Sequence, residues 1–115
     1  MVILIKGRFP TLNDYRNFNW REHSNHKTVW EREIALELRN QKIRSIPHPC
    51  ILTVVQRTKR KRDNDNCVVA AKYFQDTIVA MELIPDDNPD FITELRLRWS
   101  KAEGEECIEY HVDKV

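Results

Sequence analysis

Cysteine is scarce in this chain of 115 residues, and its spacing rules out several chemistries. Cys50, Cys67 and Cys107 form no Cys-x-x-Cys, and none pairs with a histidine at zinc-site spacing. An odd number of scattered thiols also argues against a disulfide framework. Long apolar runs are missing too. Met1 to Lys6 is too short for a signal-peptide core, and no later stretch approaches the roughly 18 apolar residues that a membrane span needs. The expected setting is therefore a reducing cytoplasm, with no membrane partner. An excess of one charge sign is absent as well: 19 Lys and Arg face 18 Asp and Glu, a net charge of +1. The chain is no bulk polycation, so any affinity for nucleic acid must come from local clustering. His23, His26, His48 and His111 show no ligand spacing such as HxxxH and read as surface residues, His26 being the one of most interest. There are no repeats and no low-complexity segment.

A hydrophobic share of 41% and a charged share of 32% describe one globular domain, residues 1–115. It is small enough that a second subunit would help to bury apolar surface. Val2 to Ile5 reads as a buried first strand, and Pro10 then breaks regular structure. The segment carrying Tyr15, Phe18, Trp20, His23 and His26 reads as a surface loop. Trp30, Ile34, Ala35 and Leu38 recur at helical spacing over 28–42, with Thr28 to Glu31 fitting a capping box. Cys50 to Gln56 is a β-branched run suited to a central strand. A helix is expected over 65–83, and the turn Pro85 to Pro89 follows it. Leu95, Leu97 and Trp99, then Ile108, Tyr110 and Val112, alternate with polar residues and predict two strands paired as an antiparallel hairpin. The order β-α-β-α-β-β predicts an α+β fold, a mostly antiparallel sheet packed by two helices.

The chemistry concentrates between the second strand and the second long helix. Arg57, Lys59, Arg60, Lys61 and Arg62 place five positive charges in six residues, immediately ahead of Asp63-Asn64-Asp65-Asn66. Each aspartate alone is an ordinary helix cap. Two of them one residue apart at a strand-to-helix junction can instead converge on one hard cation, whereas a cap needs only one. On a helical wheel Cys67, Ala71, Phe74, Ile78 and Met81 form a core face, while Asp65, Val69, Lys72 and Asp76 share the opposite stripe. Lys72 and Asp76 alone would be a solvated i,i+4 pair. A second acidic pair, Asp86-Asp87, lies beyond the helix, and a helix over 65–83 would be about 28 Å long. To meet Asp63 and Asp65, that pair needs a shorter or bent helix, a connection folded back along the sheet, or a second subunit. The basic run is usually a solvated face. Beside carboxylates it has a second use, because it draws a polyanion toward groups that would otherwise repel it.

At these residues the chain resembles the RusA family of Holliday junction (crossover junction) endodeoxyribonucleases of bacteria, prophages and phages. The likeness rests on Asp63-Asn64-Asp65-Asn66, on Lys72 and Asp76 in the following helix, on Asp86-Asp87, on the preceding basic residues, and on Pro10-x-x-Asn13 with Tyr15 nearby. It extends over essentially the whole chain. The resemblance implies a small α+β homodimer that resolves four-way DNA junctions by paired nicks. It implies Mg²⁺ held by Asp63, Asp65 and Asp87, with Asp86 beside them and Mn²⁺ as a possible substitute. Lys72 is implied near the scissile phosphate. In some members the lysine stands at the position of Val69, one helical turn nearer the aspartates and about 4.5 Å away along the axis. No organic cofactor is implied.

The expected reaction is in-line attack on a phosphodiester by a metal-activated water. Asp63, Asp65, Lys72 and Asp87 are its catalytic candidates, and Arg57, Lys59, Arg60, Lys61, Arg62 and Lys72 the DNA contacts. Two readings compete with it. One is a non-catalytic protein that binds branched DNA; the other is a nuclease for different branched substrates such as flaps.

Overall fold

A computed structural model describes all 115 residues. In chain order it contains β1 (Val2–Lys6), α1 (Leu12–Arg16), α2 (Trp20–Asn40), β2 (Cys50–Thr58), a 3-10 turn over Asn64–Cys67, α3 (Val68–Ala80), β3 (Ile92–Lys101) and β4 (Cys107–Lys114). The fold is α+β. One four-stranded sheet has the order β1-β4-β2-β3, with β4 antiparallel to both of its neighbours and β3 parallel to β2.

β2 is interior, as its β-branched run predicted. Leu52, Val54 and Gln56 point toward the helices and are about 1% exposed or less. Thr53 and Val55 lie on the face without helices yet are also buried. Val55 is flanked in register by Arg98 on β3 and Glu109 on β4, long side chains whose stems cover apolar surface.

β3 and β4 exist and alternate, but they are not a hairpin, because β2 lies between them. A parallel pair requires a crossover, and α3 supplies it by returning the chain to the end where β2 began. The connection 102–106 then arches over the end of β2. Ala102 N–H donates to the Thr58 carbonyl (3.0 Å), and Gly7 N–H donates to the Glu106 carbonyl (2.8 Å). β1 is an edge strand and only half buried: Ile3 and Ile5 face the core, while Val2 and Leu4 face out.

α2 starts at Trp20 rather than near residue 28, so most of the expected surface loop is helical. Its capping box is Asn19 with Glu22, not Thr28 with Glu31. Asn19 Oδ1 accepts from Glu22 N–H (2.9 Å) and Glu22 Oε1 accepts from Asn19 N–H (3.3 Å). The first turns escaped the periodicity because their inward side is His23 and His26 rather than aliphatic. Both rings pack in an aromatic cluster with Phe9, Tyr15 and Trp30, so neither is a free surface histidine.

α3 has 13 residues, about 20 Å. It ends in a Schellman turn: Leu83 N–H donates to the Ile78 carbonyl and Glu82 N–H to the Val79 carbonyl, with Glu82 in the left-handed region at φ 58°. The helix thereby ends three residues short of the expected residue 83. Val69 packs against the core instead of joining the polar stripe, and Ala70, Tyr73 and Thr77 widen the buried face.

One core cluster ties the layers together, and Tyr110 is its centre. Fully buried on β4, Tyr110 stacks on Phe74 with ring centroids 4.5 Å apart. Its hydroxyl accepts from Trp30 Nε1 (3.0 Å) and donates to the Ala70 carbonyl (2.8 Å). Those bonds set α2 and α3 against the sheet, and hence set Lys72 two residues beyond Ala70. Cys50, Cys67 and Cys107 are buried free thiols. No helix is long and apolar enough to cross a membrane.

Candidate active site

The Asp-x-Asp-Asn turn is built on a buried amide. Gln56, on the inward face of β2, donates from Nε2 to the Asp63 carbonyl (2.8 Å), as required of a polar group that is 1% exposed. Asn66 donates from Nδ2 to the same carbonyl (3.1 Å), while its Oδ1 accepts from Leu12 N–H (2.7 Å). The turn is therefore held by the sheet on one side and by the start of α1 on the other.

The carboxylates of Asp63 and Asp65 are treated differently from that backbone. Asp63 occupies the N-cap of the 3-10 turn but makes no side-chain capping bond. Both residues are exposed. Their backbone is anchored while their carboxylates face solvent, and Asp63 is not used as a side-chain cap.

The second acidic pair is committed elsewhere. Asp86 accepts from Asp87 N–H at Oδ1 (2.7 Å) and from Asn88 Nδ2 at Oδ2 (3.0 Å), so both of its oxygens serve the turn. Asp87 folds back to α3, where its Oδ2 lies 3.5 Å from Lys72 Nζ. Lys72 is also 3.0 Å from Asp76 Oδ1. The Asp76 hydrogen bond, with the charges of Asp76 and Asp87 behind it, holds the Lys72 ammonium above its ordinary pKa. The reversal after Ala80 folds Asp87 back alongside α3, and it does so within one chain. The structure thus brings Asp87 to Lys72. It does not gather Asp63, Asp65, Asp86 and Asp87 into one cluster: no three His, Cys, Asp or Glu side chains stand together as a metal-holding group.

The ion-pair chain continues onto α2 through Lys27, which the sequence did not single out, and Glu31, which it assigned to a capping box. Asp76 Oδ2 lies 3.3 Å from Lys27 Nζ on α2, and Lys27 lies 3.8 Å from Glu31 Oε2. That Glu31 oxygen is buried without a hydrogen bond. Burial raises the Glu31 pKa; Lys27 opposes the rise and Asp76 adds to it. Lys27 lies in the first part of α2, outside the helix expected over 28–42, so only the 27/31 spacing could have signalled the pair. Gln56 could have been found as the lone amide in an apolar strand.

The five basic residues separate into two groups. Arg57 lies on the open face of the sheet, where its Nε and Nη2 donate to Glu109 (2.7 and 3.3 Å) and its Nη1 donates to Ser100 Oγ (3.0 Å). It is a sheet-face ion pair, not a free phosphate contact. Lys59, Arg60, Lys61 and Arg62 form the loop before Asp63, with Lys61 Nζ 6.0 Å from the Trp99 ring centroid and Arg62 Nη1 donating to the Phe9 carbonyl (2.7 Å). No protein-family model matches the chain, and no curated protein matches it significantly.

Proposed function

We propose that this protein is a metal-dependent endonuclease for branched DNA that cuts four-way junctions by phosphodiester hydrolysis. The observation that carries this reading is the return of Asp87 to Lys72 on α3, in a chain whose Asp63 and Asp65 carboxylates are exposed beside a basic loop. The donor chemistry fits Mg²⁺, which favours carboxylate oxygens, needs only one or two of them, and keeps waters and substrate phosphate as its other ligands. Asp63 and Asp65 are the two that would hold it, and Asp87 pairs with Lys72 at 3.5 Å, behind Asp76 at 3.0 Å. Held by Asp63 and Asp65, the ion would supply a water of lowered pKa and would polarise the phosphoryl oxygens.

The chain's own residues do the rest. Gln56 and Asn66 hold the aspartate-bearing backbone in place before substrate arrives, so little reorganisation is needed. Lys72, kept protonated by Asp76 and Asp87, stabilises charge on the phosphate. Lys59 to Arg62 neutralise flanking backbone. Two copies about a twofold axis present two such sites to a symmetric junction, which gives paired nicking a geometric cause. The bacterial, prophage or phage origin that the resemblance implies goes with a cytoplasmic location.

The deciding experiment is nicking of a synthetic four-way junction. Asp63→Asn and Asp65→Asn each abolish Mg²⁺-dependent cutting and leave junction binding intact. A wild-type protein that binds junctions and cuts none with Mg²⁺ or Mn²⁺ is a binding protein, and the nuclease reading is then wrong. Faster cutting of flaps than of junctions at matched salt moves the substrate assignment to flaps.

A further inference from the structure

Beside Asp63 lies a cationic cavity that the basic run alone did not reveal. It has a volume of about 310 Å³ and is lined by Arg8, Thr58, Lys59, Arg60, Arg62 and Glu106, with no apolar residue. A neighbouring cavity of about 300 Å³ shares Arg8, Lys59 and Glu106 and continues toward Gly7. In the first cavity four cations face one carboxylate, Glu106, and the second adds Glu105, which lies 4.0 Å from Lys6 Nζ. One oxygen of Glu106, Oε2, accepts from the Lys59 main-chain N–H (2.9 Å). Arg62 is half buried and satisfied only by a neutral acceptor, the Phe9 carbonyl. Burial, together with the charge of Arg8, pushes the Arg62 pKa down, and the charges of Glu106 and Asp14 offset this only in part. The cavity walls are firm: Thr58 Oγ1 donates to the Arg60 carbonyl and accepts from Trp99 Nε1 (2.9 Å).

Resting on the nuclease reading above, we propose that this cavity seats a backbone phosphodiester of the strand next to the cut, gripped by Arg8 from the β1–α1 connection and by Arg60 and Arg62 from the basic loop. Arg8 is then a DNA-contacting residue 49 positions ahead of Arg57, where the run that suggested binding begins. An anion of this kind suits the site because it brings charge-assisted acceptors to guanidinium donors. The contact lies one residue from Asp63, so a strand seated there passes directly to the candidate metal ligands.

The test is fluorescence anisotropy of a four-way junction with unphosphorylated ends, with Ca²⁺ replacing Mg²⁺ so that binding is read without cutting. Arg8→Gln weakens binding about tenfold, and the slope of log K against log salt falls by about 0.9, the share of one phosphate. Arg60→Gln moves both readouts in the same direction. Arg39→Gln, on the exposed surface of α2, leaves both unchanged. Wild-type affinity and slope in Arg8→Gln overturn the proposal, as does an equal loss in Arg39→Gln. A loss that appears only when the DNA ends carry 5′-phosphates overturns the backbone assignment in favour of a terminal phosphate. Cutting separates the two claims: a protein that cuts junctions while Arg8→Gln binds normally refutes the cavity alone, and one that binds through Arg8 but never cuts refutes the nuclease alone.

Discussion

Asp63-Asn64-Asp65 and Asp86-Asp87 are similar in composition and opposite in use. In the first, the backbone is anchored by Gln56 and Asn66 and the carboxylates face solvent. In the second, the carboxylates are the anchors: Asp86 closes the turn on Asp87 and Asn88, and Asp87 holds Lys72. The difference shows that an acidic pair becomes available for a ligand when other groups carry the structural load. Exposed position alone does not confer it, since Asp86 is exposed as well.

The contrast can be broken most directly at its extremes. Asp63→Asn is expected to reduce junction nicking at least 100-fold, the order of effect for losing charge stabilisation at the reacting centre, about 10² or more. Asp86→Asn keeps one turn-forming oxygen and is expected to change nicking less than about threefold, with a stability loss of about 1 kcal/mol or less in a thermal melt. Equal losses in the two variants would erase the distinction. Next in size is Lys72→Met. It is expected to lower kcat by about 10- to 100-fold with a smaller change in junction affinity, because Lys72 is assigned to charge developing in the transition state. A loss confined to affinity would make it a simple phosphate contact.

Gln56→Leu sharpens the comparison from the other side. It removes a buried donor to the Asp63 carbonyl, costing about 1–3 kcal/mol in denaturant unfolding. It also lowers nicking by releasing the turn that carries both aspartates. Unchanged nicking in a folded Gln56→Leu protein would show that anchoring of that backbone is not needed.

The smallest expected effect concerns Arg57, the basic residue that the sheet has taken for itself. Hydrogen bonds from Arg57 and then His111 depress the Glu109 pKa, despite its partial burial. A carboxyl whose folded pKa is depressed contributes stability that is fully present above its unfolded value and is lost as pH falls through the folded value. Glu109→Gln is therefore expected to cost less than about 1 kcal/mol near neutral pH and to flatten the decline of stability on acidification below about pH 4.5, the ordinary glutamate value. A variant with the same acid slope as the wild type would assign that slope to other carboxylates.

Much of this organisation was legible in the residues, and what was not has physical causes. The core of β2 and the inward faces of β4 and α3 follow from apolar spacing, which depends only on the geometry of one element. The start of α2 did not, because its inward positions are His23 and His26, whose packing with Phe9, Tyr15 and Trp30 comes from other parts of the chain. The β3–β4 hairpin was inferred from adjacency and a turn signal. Alternation cannot say which strand is the neighbour, and the crossover through α3 places β2 there. In the basic run, Arg57 and Arg62 look alike in sequence. One faces Glu109 across a strand pair, and the other faces Arg8 across a cavity.

The sequence by itself determined the fold class, the strand-to-helix junction carrying Asp63 and Asp65, and the alternation that buries one face of each strand, because these depend on local geometry and on the period of apolar residues. Only the tertiary structure decided that α3 ends at Ala80 and that Asp87 reaches Lys72. It alone decided that Lys27 and Glu31 extend the charge chain and that Arg8 joins the basic loop. Each of these is a contact between residues brought together by chain reversal or strand order, and such distances are set by the packed whole.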